Sequence, residues 1–194
     1  MNLPNKLTVA RVIMVPFFVF FLMADFIPHH TVVALCFFAL ASFTDHLDGK
    51  IARKHNLITN FGKFLDPLAD KILVLSALIC FIPMGWITVW SVIIIMAREF
   101  MVSAVRLIAA DNGKVVAANG WGKLKTVSQM VAILLVLIFQ YIVDLVVYAG
   151  GDPFGCWLAF QIIGRIFIGI SVCFTVLSGV IYLRDNWGLM KNSK

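Results

Sequence analysis

Four aspartates define the chemistry open to this chain. Asp45 and Asp48 stand three residues apart, and Asp66 and Asp70 four apart. With no Cys or His at ligand spacing beside them, such hard oxygen donors suit Mg²⁺ or Mn²⁺ rather than zinc. On a helix turning ~100° per residue, Asp45, Asp48, Gly49 and Ala52 share one stripe, and Gly62, Asp66 and Asp70 form a second. Two antiparallel helices, each contributing a carboxylate pair, suit a clamp of two metal ions ~3.5–4 Å apart across a phosphoryl group. Gly49, Ala52 and Gly62 lack bulk, so a flat or phosphorylated group can come close to the backbone beside the acids. Pro67, between the last two acids, removes a hydrogen bond to the Lys63 carbonyl and can bend its helix.

The elements that must carry these residues are set by composition. Hydrophobic residues make up 61% of the 194 positions and charged ones 13%, against roughly 45–50% and ~25% in soluble domains. A water-soluble fold would expose the excess as apolar patches, which excludes that class and disorder with it. The net charge of +6 reads here as basic cytoplasmic loops rather than a nucleic-acid surface. The four cysteines, Cys36, Cys80, Cys156 and Cys173, are far apart, and indicate neither a disulfide framework nor a zinc site. A spanning helix needs ~20 mostly apolar residues. Six segments qualify, at about 8–27, 31–53, 60–83, 86–107, 125–147 and 154–183, after a short interfacial segment over about 1–7.

The expected fold is therefore all-α: one polytopic membrane domain over 1–194 with six transmembrane helices. Lys6 and Arg11, then Lys50, Arg53, Lys54 and Lys63, then Arg106, Lys114, Lys123 and Lys125, and finally Arg184, Lys191 and Lys194 gather at one end of the spans. The opposite connections, 26–30, 83–85 and 148–155, carry no Lys or Arg. The positive-inside rule makes the basic end, and both termini, cytoplasmic. The second and third spans are long enough to cross only if their helices continue through the acids. All four carboxylates are thereby set at one depth on the cytoplasmic side. Burying one such charge costs ~2.5–3.5 kcal/mol, so such acids face a polar cavity, and four at one depth repel strongly unless protonated or neutralised by cations. A hairpin held by ion pairs with Lys50, Arg53, Lys63 and Lys71 would explain one acid better than four in phase. A divalent-cation transporter would explain the acids, but gives no reason for the small residues at their offsets. An intramembrane prenyltransferase would need more helices than the chain supplies.

Asp45-His-Leu-Asp48-Gly49-Lys-Ile-Ala52-Arg53, followed after eight residues by Gly62-Lys-Phe-Leu-Asp66-Pro-Leu-Ala-Asp70, resembles the full motif of the CDP-alcohol phosphotransferases. The resemblance implies that an acceptor hydroxyl attacks the phosphorus distal to cytidine and that CMP leaves. It further implies metal ligands at Asp45, Asp48, Asp66 and Asp70, with Asp70 as general base. Asp48, Gly49, Ala52, Arg53 and Gly62 would then form the CDP-binding set. Within the family, the stretches around 60–71 and 97–106 are most similar to bacterial phosphatidylglycerophosphate synthases. That similarity implies CDP-diacylglycerol as donor and glycerol 3-phosphate as acceptor, in the plasma membrane, and the family implies a homodimer. Inositol phosphate, serine or phosphatidylglycerol are the alternative acceptors.

A phosphorylated acceptor needs a cationic cradle, for which Arg106, Lys123 and Lys125 are the candidates. Arg98 and Glu99 lie near mid-membrane, where an internal pair or a cavity wall is expected. Arg165 carries no assigned role. His29, His30, His46 and His55 are expected in loop or surface positions. The Phe-rich stretch 16–21 reads as lipid-facing bulk, and Trp86, Trp90, Trp157 and Trp187 as interface anchors.

Overall fold

A computed structural model describes the backbone of residues 3–55, 60–111 and 120–188. It describes their side chains except at 3–4, 45–55, 60–67, 70 and 110–111. Among the described residues the chain forms six helices and no strand: α1 (Leu3–Met23), α2 (His30–His55), α3 (Asn60–Cys80), α4 (Val89–Asp111), α5 (Gly120–Tyr148) and α6 (Phe154–Asp185). They match the six apolar segments of the sequence to within a few residues, except that α4 and α5 extend further. Residues 3–7, expected as a lead-in, already belong to α1. Pro4 sits in its first turn, where a missing N–H leaves nothing unpaired.

Three helical stretches are long and apolar enough to cross a membrane: Asn5–Met23, Gly120–Tyr148 and Phe154–Asp185. His30–Thr44 and Lys71–Cys80 are shorter apolar stretches. Both belong to helices that run on through the acidic positions, α2 to His55 and α3 from Asn60. Charge keeps α4 out of the first group, because Arg98, Glu99 and Arg106 interrupt its apolar run.

Turns at 24–29, 81–88 and 149–153 join the helices into three hairpins. α1 packs on α2 and α3, α5 on α6, and α4 on α6 and α3, while α2 and α3 also touch α5. One apolar core joins most of them, with Phe18, Phe38, Leu78, Phe81, Trp86 and Leu137 at its centre. Phe18 and Phe38 meet at 5.5 Å between ring centres, a favourable aromatic separation.

Two of the expected lipid-side residues prove to be core. Phe17 and Phe20 are exposed, but Phe18 is fully buried. Trp86 is fully buried as well, its indole N–H donating to Gln140 Oε1 at 3.0 Å. Of the four tryptophans expected as anchors, Trp90, Trp157 and Trp187 are exposed. Trp86 reaches its place because α6 carries glycine opposite: a Cβ on Gly164 would lie 2.8 Å from the indole ring. Further along α6, a Cβ on Gly179 would lie 3.1 Å from Arg98 Cγ. Small residues that admit a large neighbour are the usual means of close helix packing where lipid supplies no hydrophobic driving force.

Candidate active site

The helix bounds place the four motif aspartates in pairs. Asp45 and Asp48 lie on α2, Asp66 and Asp70 on α3, and spacings of three and four put each pair on one face by register. Their side chains, and those of Gly49, Ala52, Arg53 and Gly62, lie outside the described residues. Among the described residues no group of three His, Cys, Asp or Glu could hold a metal ion. The expected metal ligands Asp45, Asp48, Asp66 and Asp70 therefore lie outside the described side chains; four carboxylates on two helices are a donor type that suits Mg²⁺ or Mn²⁺.

One residue beyond Asp70, a polar cluster begins. Lys71 Nζ donates to Ser103 Oγ, and the Ser103 hydroxyl donates to the Glu99 carbonyl at 2.8 Å. The Glu99 carboxylate accepts from Arg98 Nη1 at 2.9 Å and from Lys125 Nζ at 2.5 Å. Thus α3, α4 and α5 meet through charged side chains. The side chains of Arg98, Glu99 and Lys125 are 11%, 18% and 4% exposed. Among the described residues the cluster holds three cations and one carboxylate. Low-dielectric surroundings strengthen each of these interactions and make any unbalanced charge costly.

The three candidate acceptor residues part company here. Lys125 faces the cluster and is buried. Lys123, two positions away and so ~200° around the helix, is exposed. Arg106 is exposed too, with its guanidinium carbon 5.9 Å from the centre of the Tyr182 ring on α6, a cation–π separation. The expected internal pair of Arg98 and Glu99 is present, enlarged by Lys125. Reasoning from sequence missed the Lys71–Ser103 link. The signal was available, since Lys71 follows a motif acid and Ser103 stands one turn after Glu99.

At the other end of the bundle, Arg165 donates through Nε and Nη2 to the Gly85 carbonyl at 3.2 and 2.8 Å, tying α6 to the α3–α4 turn. His30, expected at a surface or in a loop, is buried at the start of α2. Its Nδ1 lies 3.0 Å from the Phe21 carbonyl. Asp144, an acid within the apolar run of α5, accepts from Thr31 Oγ1 and from Gln140 Nε2, the latter at 2.9 Å.

The family model for CDP-alcohol phosphatidyltransferase matches residues 1–177. A Bacillus subtilis protein named CDP-diacylglycerol–glycerol-3-phosphate 3-phosphatidyltransferase is 41% identical, over 99% of this chain and 98% of its own length. A Haemophilus influenzae protein of the same name is 44% identical over 68% of this chain and 73% of its own. One from Rickettsia typhi, also of that name, is 34% identical over 94% and 96%. Six helices, paired aspartates on α2 and α3, and a match over nine-tenths of the sequence agree: this chain belongs to the CDP-alcohol phosphatidyltransferase family.

Proposed function

We propose that this protein transfers the phosphatidyl group of CDP-diacylglycerol to glycerol 3-phosphate, releasing CMP and forming phosphatidylglycerophosphate. The observation that carries this reading is the near-full-length similarity to a protein named for that reaction, with the aspartate pairs of the motif on adjoining helical hairpins. The six helices form one membrane domain over 1–194, each crossing the bilayer, with both termini and the active site on the cytoplasmic side of the plasma membrane. A homodimer is the assembly we assign.

Asp45, Asp48, Asp66 and Asp70 would hold two divalent ions, Mg²⁺ or Mn²⁺, which when bound offset the charge of the diphosphate. The chain's own groups do the rest. Asp48, Gly49, Ala52, Arg53 and Gly62 seat the cytidine nucleotide. Asp70 takes the proton of the acceptor hydroxyl as it attacks the lipid-side phosphorus, and CMP departs with the electrons of the broken P–O bond. A carboxylate near cations stays ionised and so remains able to accept that proton. Lys125 and Arg106 attract the acceptor's phosphate, with Lys123 adding positive charge at the entrance.

The test is release of CMP by the purified full-length protein in detergent, with CDP-diacylglycerol and a panel of acceptors. Turnover that depends on glycerol 3-phosphate and on added Mg²⁺ or Mn²⁺ supports the reading. Turnover with serine, inositol phosphate or phosphatidylglycerol instead overturns the acceptor assignment, and metal flux without CMP release overturns the enzyme assignment.

A further inference from the structure

Glu99 does not belong to the family motif, yet its carboxylate joins α4 to α5 at the end of the bundle that carries the motif. Its carboxylate accepts from Arg98 and Lys125, and its backbone carbonyl from Ser103, which in turn holds Lys71. Three cations on three helices are therefore fixed relative to one acid. Among the described residues this group has two positive charges in excess, in a place where Lys125 is 3% exposed. Buried charge without a counter-charge is strongly unfavourable, so the arrangement is suited to a group that brings negative charge. A phosphate monoester carries about −1.5 to −2 at neutral pH, close to that excess. The motif aspartates, in the reading above, are already committed to metal ions.

A second observation points the same way. Among the described residues, Arg98 Nε, Gln129 Nε2 and the Tyr182 hydroxyl are buried without a hydrogen-bond partner. Gln129 stands one turn beyond Lys125 on α5. Tyr182 stands one turn beyond Gly179, the residue of α6 that makes room for Arg98. Buried polar groups are rarely left unpaired in proteins, and those that are call for an explanation.

We propose that Glu99 is a positioning residue for the acceptor: it holds Lys125 and Arg98 in place, beside Lys71 on Ser103, as a preset cationic surface for the acceptor's phosphate. This rests on the proposed transfer to glycerol 3-phosphate. Glu99 does not touch the reacting atoms. It keeps two long, flexible cations from separating under mutual repulsion, so the cost of ordering them is met before the acceptor arrives.

The experiment compares wild type, Glu99→Gln, Glu99→Asp, Lys125→Met and the Glu99→Gln/Lys125→Met double variant, as full-length protein in detergent, reading KM for each substrate and thermal unfolding. Glu99→Gln is expected to raise KM for glycerol 3-phosphate about ten- to a hundredfold, the usual effect of losing a group that orients a ligand-binding residue. KM for CDP-diacylglycerol should stay within about twofold, and Glu99→Asp should recover part of the loss. In the Lys125→Met background, Glu99→Gln should add little, because the two act as a unit. An unchanged acceptor KM, equal rises in both KM values, or additive effects in the double variant would overturn the proposal. Should Glu99→Gln fail to accumulate, Glu99→Asp gives the same reading at smaller amplitude. A wild-type protein that ignores glycerol 3-phosphate would instead sink the reading on which the proposal rests.

Discussion

At one end of the bundle Asp144 is answered group for group, whereas at the other Glu99 faces more cations than acids among the described residues. Asp144 takes a hydrogen bond on each oxygen, from Thr31 and from Gln140. Gln140 is held in turn by the buried Trp86 indole. His30 stands between Asp144 and Asp25, at 4.0 and 3.7 Å. These contacts join α2, α5 and the α3–α4 turn, and each donor meets an acceptor. Among the described residues, the groups around Glu99 carry positive charge in excess, and Arg98 Nε has no hydrogen-bond partner there. A saturated polar network locks helices together, and an unsaturated one is prepared for something further. The difference separates a structural clamp from a candidate binding surface at similar burial.

The contrast can be broken by mutation. The largest effect is expected at the site end: Asp70→Asn should lower kcat by about 10²–10⁴-fold, the range for loss of a general base. Binding of CDP-diacylglycerol should survive, and full activity would remove Asp70 from the role of base. Next comes the clamp. Asp144→Ala strands the buried Thr31 hydroxyl and the half-buried Gln140 amide and should cost about 3 kcal/mol of stability, read as a lower unfolding midpoint in detergent, with both KM values unchanged. If acceptor KM rose as much as stability fell, the two ends would not be separable in this way.

Gly164→Ala drives a methyl group into the Trp86 ring and should cost about 2 kcal/mol by overpacking, again without a kinetic signature. Arg106→Ala should raise acceptor KM by about tenfold, equivalent to ~1.4 kcal/mol, and leave donor KM alone. An acceptor KM that did not move would leave Arg106 with only its contact to Tyr182.

The helices and the acidic motif were legible because length, apolar run and residue spacing are local properties. Facing was not. When lipid and protein interior are equally apolar, a helix shows little contrast between its sides, so nothing in the Phe-rich stretch of α1 marks Phe18 as inward and Phe17 as outward. Trp86 misled for a related reason. Tryptophan near a span end is ordinarily an interface residue, and only the glycine opposite, 78 positions along the chain, turns it into core. Charge was more informative. Arg98 and Glu99 announced an internal pair because isolated charges in lipid are untenable. Asp144 sent the same signal from within α5 and was passed over. That Lys125, not Lys123, would complete the Glu99 cluster depended on the rotation of α5 against α4, a tertiary fact.

α6 runs for 32 residues, about 48 Å at 1.5 Å per residue, well beyond the ~30 Å of a hydrocarbon core. Within the proposed six-span arrangement it must lean or protrude, so that the exposed tail bearing Arg184 and Asp185 reaches into the aqueous headgroup layer. The proposed reaction brings together one partner that never leaves the lipid and another that never enters it. A post standing across that boundary gives the water-borne partner a wet route of approach, while the lipid-borne one slides in from the side.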